Sequence, residues 1–139
     1  MAPKIFLDSN ILLDYIIERP GELEQINSIF EMMQKDELRL FISESVLTTN
    51  IYFLQKEKFD VVEIFRTLAE YIDIIPFKKE ILFLPINNFK DSEDGLLYYI
   101  ALDANMDYFI TRNKKDFKTA TPSLPVFTPK QFINHFIHK

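Results

Sequence analysis

Asp8 closes the apolar run Lys4–Leu7, and Asp91, Glu93 and Asp94 open an apolar-periodic stretch far along the chain, so two groups of carboxylates sit at junctions between elements. A carboxylate at the carboxyl end of a buried strand lies where helix N-termini and backbone amides can orient it. Asp91 and Asp94 are three residues apart and can share one helix face. Each group alone has an ordinary explanation. Asp8 could cap the next helix, although Ser9 or Asn10 could cap it instead, and acids in a first helical turn complement the macrodipole. Brought together, Asp8 and Asp94 would repel unless a cation lay between them. Tyr108-Phe109-Ile110-Thr111-Arg112-Asn113 ends a further strand in hydrogen-bonding groups and leads into Lys114, Lys115 and Asp116. Carboxylates with Asn and Thr oxygens form a hard donor set suited to Mg²⁺ or Mn²⁺. Such a cation could polarise a scissile phosphate and supply hydroxide, and a second could steady the leaving oxygen. Arg112, Lys114, Lys115 and Lys118 could contact flanking phosphates, as could any solvated basic loop.

The elements that must position these groups follow from hydrophobic period. The strand ending at Asp8 is followed by a helical pattern through Ile11, Leu12, Tyr15 and Ile16. A second amphipathic helix runs through Leu23, Ile26, Ile29, Phe30 and Met33 to near Asp36. Residues 38–42 form a strand, and Ser43 caps a helix that stops near Lys56. Residues 61–71 have helical spacing, 72–76 read as a strand, and 78–87 as a helix that Pro85 must bend or end. Residues 92–105 are a helix with Gly95 in its first turn, 107–111 a strand, Val126 marks a last short strand, and Pro129–Ile137 is the final helix. Strands alternating with helices predict one α/β domain over residues 1–139, with a mainly parallel sheet of four to five strands between helical layers. Sites on such sheets lie beyond the carboxyl ends of the strands.

Composition restricts the function classes. A net charge of −5 argues against a general nucleic-acid coat, which gains affinity from excess Lys and Arg, so any contact with a polyanion must be local and cation-assisted. With no cysteine there are no disulfides or thiolate sites, which fits a reducing compartment, and cytoplasm is the expectation. The N-terminus lacks the apolar segment of a signal peptide, and no apolar run approaches the ~18 residues of a membrane span. Tyr98, Tyr99 and most of the 14 Phe are expected in the core rather than as base-stacking platforms. His135 and His138 are expected to complement a helix C-terminus rather than hold a metal.

Phe6-Leu7-Asp8-Ser9-Asn10-Ile11-Leu12-Leu13-Asp14 resembles the opening signature of the PIN domain family (PIN_3-like). Asp91-Ser92-Glu93-Asp94-Gly95, residues 107–117 and Pro125-Val126-Phe127-Thr128-Pro129 are similar to its second half. The resemblance spans nearly the whole chain. It implies a PIN-like three-layer sandwich and a Mg²⁺- or Mn²⁺-dependent endoribonuclease of the VapC-type toxin class, neutralised by a cognate antitoxin and often a homodimer. Carried over by position, Asp8 is the first metal ligand, Asp94 the third acidic position and Asp116 a late carboxylate near Asn113, with Thr111 and Asn10 supporting the pocket. The family's second acid falls where this chain has Asn50, and Asn113 stands where many relatives carry Asp. Glu44, at the start of the same helix as Asn50, is an alternative to it. Gly95 replaces a small Ala and is expected to allow close approach to the strand carrying Asp8.

Asn50 and Asn113 keep a second reading open, a PIN-fold module that binds RNA or protein without cleaving. A third, a phosphohydrolase with Asp8 as nucleophile, lacks the proton donor that Asn10 cannot supply.

Overall fold

The computed structural model describes residues 1–120 and 122–137. Among them are five strands and six α-helices: β1 (Lys4–Leu7), α1 (Ser9–Ile17), α2 (Leu23–Gln34), β2 (Arg39–Ser43), α3 (Glu44–Lys56), α4 (Val61–Leu68), β3 (Ile72–Ile75), α5 (Ser92–Asp103), β4 (Tyr108–Ile110), β5 (Val126–Phe127) and α6 (Pro129–Ile137). No helix among the described residues is long and apolar enough to cross a membrane.

All strands are parallel, in the order β3-β2-β1-β4-β5. Parallel sheets are covered on both faces, and the central strands are accordingly apolar on both sides, with Ile5, Phe6, Leu7, Leu40, Phe109 and Ile110 fully buried. The chain builds outward from β1 to β3, then crosses back to β4 and β5. Because parallel crossovers are right-handed, this reversal puts α5 on the opposite face from the helices before it. Helix packing agrees: α1 lies on α2 and α3, α3 on α4 and α2 on α6, whereas α5 packs against short 3-10 segments. The result is a three-layer α/β sandwich. The reversal point between β1 and β4 is where such folds place their sites.

Local sequence explains most boundaries. The Ser43 hydroxyl accepts the Val46 N–H at 3.2 Å and starts α3. Thr128 and Gln131 exchange side-chain-to-backbone hydrogen bonds at 3.2 and 3.1 Å, a reciprocal cap at the start of α6. Asn105, at φ 60°, turns the chain after α5 two residues earlier than the hydrophobic period predicts.

Residues 78–87 differ from expectation. They form two 3-10 segments, Lys79–Phe83 and Ile86–Asn88, in place of a helix. Pro85 has no N–H to give to an α-helical ladder and disfavours helical conformation in Leu84, which is extended at ψ 163°. Ile81 still reaches the core, while Phe83 stands 86% exposed, so the aromatic residues do not all fill the interior.

Gly95 also differs from expectation. It is buried in α5, and a Cβ there would collide with the Ile86 carbonyl oxygen rather than with anything on β1. The glycine therefore lets the second 3-10 segment lie directly on the helix that carries Asp94. Although alanine favours helix by about 1 kcal/mol, Gly95→Ala is expected to lower stability by about 1–3 kcal/mol, seen as a reduced Tm in thermal unfolding.

Candidate active site

Asp8 leaves β1 at its carboxyl end and is itself the N-cap of α1. Its Oδ1 accepts the Ser9 N–H at 2.7 Å, so of the three residues that could cap the helix by sequence it is Asp8 that does. Its Oδ2 accepts the Thr111 hydroxyl at 2.8 Å and the Asn10 amide at 3.3 Å. The Asp8 backbone N–H bonds to the Ile110 carbonyl, continuing the β1–β4 ladder to the point where the two strands diverge. Capping and pocket placement are thus compatible, because one carboxylate oxygen serves each purpose. Burial raises the Asp8 pKa above its ordinary value, and the Glu93 charge adds to this; the bonds from Thr111 and Ser9 pull it down.

Thr111 holds the pocket from β4. It donates to Asp8 and accepts the Asn113 N–H at 3.1 Å. Asn10 bridges the same two loops, with its Oδ1 accepting the Arg112 N–H at 3.1 Å. Asp94 lies in the first turn of α5, behind the cap that Asp91 makes to the Glu93 N–H at 2.9 Å. Its carboxyl is pushed up from the ordinary 3.8 to about 7, first by burial and then by the charges of Asp8, Asp91, Asp116 and Glu93. The charges of Asp8 and Asp94, 86 residues apart in sequence, therefore act on one another in the folded chain.

Asn50 is fully buried on α3. Its Nδ2 donates to the Val46 carbonyl at 3.0 Å and the Ser9 carbonyl at 3.3 Å, next to Asp8. Two carbonyl acceptors fix which end of the amide is nitrogen, so Oδ1 is the atom left without a partner. A buried acceptor without a donor costs about 1–3 kcal/mol, which a water or cation would offset. Glu44 is committed elsewhere, its Oε1 accepting the Phe77 N–H at 2.7 Å.

The basic residues divide. Arg112 Nη1 lies 2.9 Å from both carboxylate oxygens of Asp14. Asp14 is buried and also receives Arg19 at 3.4 Å. Burial raises the Asp14 pKa, against the pull of these two guanidinium groups. Asp14 had no role assigned from sequence, because its main partner is 98 residues away. Lys114 lies over the Phe127 ring, 5.7 Å from its centroid. Lys115, Asn113 and Asp116 remain at the rim, Asp116 half-buried. His135 sits 3.3 Å from the Tyr108 hydroxyl and against Phe127, and His138 lies outside the described residues.

Among the described residues no three Asp, Glu or His side chains converge closely enough to enclose an ion by themselves. Mg²⁺ keeps several waters and takes one or two carboxylates. Asp8, Asp94 and the unpartnered Asn50 oxygen fit a hydrated cation of that kind.

The sequence pattern of the PIN domain matches residues 4–115. The chain belongs to the PIN domain family. A relative from Aquifex aeolicus (strain VF5), Ribonuclease VapC1, is 25% identical over 138 residues, covering 94% of either chain. The same fold occurs in a toxin-antitoxin complex from Klebsiella pneumoniae, with TM-score 0.68, 21% identity, and coverage of 90% of this chain and 97% of that one. It also occurs in VapBC2 from Rickettsia felis bound to a DNA fragment from their promoter, with TM-score 0.70, 21% identity and coverage of 90% and 98%.

For this PIN domain the raised Asp94 pKa sets a pH dependence. Its folded value lies above its ordinary one, so the stability it contributes is fully present below about pH 4 and is lost as pH rises to about 7. Metal-free protein is expected to lose Tm across that window, and Asp94→Asn to flatten the decline, in unfolding scans recorded from pH 4 to 8.

Proposed function

We propose that this PIN domain is a Mg²⁺- or Mn²⁺-dependent endoribonuclease of the VapC toxin type. The observation that carries the reading is that burial, and next the charge of Asp8 at the reversal point of the sheet, raise the Asp94 carboxyl well above the usual carboxylate range, a cost that a bound cation would offset. The relatedness to a VapC ribonuclease supports it.

In this reading Asp8 and Asp94 hold the cation, with Asn50 Oδ1, Asp91, Asn113 and Asp116 completing the shell directly or through water. A divalent ion there supplies Lewis-acid polarisation of the phosphodiester and charge neutralisation. Thr111 and Asn10 fix the Asp8 carboxylate so that little reorganisation accompanies binding. Asn50 would present an oxygen without charge. A cognate antitoxin is the proposed partner, by likeness to solved toxin-antitoxin complexes, and a second copy of the chain is the proposed assembly. The reducing cytoplasm is the proposed location.

Asn50 and the lack of three convergent acids favour one rival, a PIN-fold module that binds without cleaving. Incubation of purified protein with single-stranded RNA and either metal separates the two. Asp8→Asn and Asp94→Asn are each expected to cut cleavage more than about 100-fold, and Mn²⁺ is expected to raise the Tm of the unaltered chain but not of the double variant. Intact RNA in every lane, alongside retained RNA binding, would favour the module.

A further inference from the structure

A polyanion approaching this cleft meets carboxylates on a chain of net charge −5, so something nearby must attract it. Of the four basic residues singled out by sequence, Arg112 is paired with Asp14 and Lys114 lies over the Phe127 ring, whereas Lys115 and Lys118 make neither kind of contact among the described residues. Lys90 joins these two. Lys90, in the loop just before Asp91, and Lys115 and Lys118, on and after the 3-10 segment Lys114–Phe117, line one open cleft with Asn88, Asp116 and Thr119. All three are exposed, and none is in an ion pair among the described residues.

Asp116 joins this cleft to the acidic pocket, since it lines the one and its charge acts on Asp94 in the other. The two loops that meet here are the ones that carry Asp91 and Asp116, so the lysines and these two acids are presented by the same pair of loops. Three lysines that outnumber the one acid in their cleft and form no ion pair among the described residues are stabilised by an anion, and their distribution over two loops suits an extended backbone better than a single small ion.

We propose that Lys90, Lys115 and Lys118 form a phosphate clamp that holds the backbone of single-stranded RNA beside the scissile bond and leads it past Asp116 to Asp8 and Asp94. This rests on the ribonuclease reading. Contacts to phosphate carry no sequence information, so the clamp contributes affinity equally for all sequences, and specificity arises elsewhere.

The test is binding of fluorescein-labelled single-stranded RNA to the metal-free protein by anisotropy across a salt series, paired with cleavage kinetics in Mn²⁺. The triple variant Lys90→Gln, Lys115→Gln, Lys118→Gln is expected to weaken binding roughly 10-fold or more near 0.1 M salt, and to reduce the slope of log K against log salt by about 2, because single strands give about 0.7 per phosphate contact. KM should rise with kcat little changed, whichever RNA sequence is used. Arginine at the three positions should restore binding. Lys35→Gln with Lys58→Gln, following α2 and α3 at the amino end of the sheet, should leave it unchanged. An unaltered salt slope and KM in the glutamine triple, with the parent chain still cleaving, would overturn the clamp alone. A parent chain that neither binds nor cleaves RNA would overturn the ribonuclease reading and the clamp with it.

Discussion

The structure depends on how one carboxylate is kept at the end of a central buried strand. Asp8 is only 5% exposed, and a buried charge is costly unless hydrogen bonds compensate it. Those bonds come from two places, the start of α1 through Ser9 and Asn10 and the end of β4 through Thr111, and the field at the helix N-terminus adds to them. Each donor belongs to an element that must already be in register with β1. The Asp8 carboxylate therefore acts as a polar pin that fixes β1, β4 and α1 together at the sheet's reversal point, and any chemistry it performs uses an oxygen positioned by the fold itself.

The second carboxylate is in a different balance. Burial of Asp94 opposes its charge, and the charges of Asp8, Asp91, Asp116 and Glu93 oppose it further, all raising its pKa. Such an arrangement is unfavourable by itself and is held in place by contacts that do not involve the acids. Gly95 brings α5 against the Ile86 carbonyl, and Tyr98 is anchored by its hydroxyl to the Leu124 carbonyl at 2.8 Å within a cluster of Phe89, Phe109 and Phe117. Apolar packing on one side of α5 thus holds repelling charge on the other, as is common where a site is strained toward a ligand.

How far the sequence revealed this depends on the range of each interaction. Elements set by local rules were legible: the strand ending at Asp8, the Ser43 cap, and the apolar face of α5 with Leu97, Ile100 and Ala101 buried. The parallel orientation of the strands followed from alternation, although their order did not. Residues 78–87 were misread because their apolar spacing resembles a helix while Pro85 removes the bond the helix needs. Among roles set by partners roughly 100 residues away, that of Thr111 was reached only through the family resemblance and that of Asp14 was not reached at all. Arg112 looks like a phosphate-binding residue in its loop, and only the fold shows it holding Asp14. Lys90 looks like an ordinary loop lysine until the cleft with Lys115 and Lys118 is seen.

Asn50 shows why residue type alone gives an incomplete account of the site. Read as a replacement for an acid, it is a loss of negative charge. In place, its nitrogen satisfies two backbone carbonyls, those of Val46 and Ser9, which a carboxylate could not do and would repel. The amide therefore ties α3 to the residue next to Asp8 while adding no charge to a cleft already crowded with it. What it leaves over is a single buried oxygen with no donor, the kind of atom a hydrated cation would engage. In the proposed cation-binding reading, Asp8 and Asp94 would supply the charge and Asn50 a neutral oxygen held in place by the two backbone carbonyls.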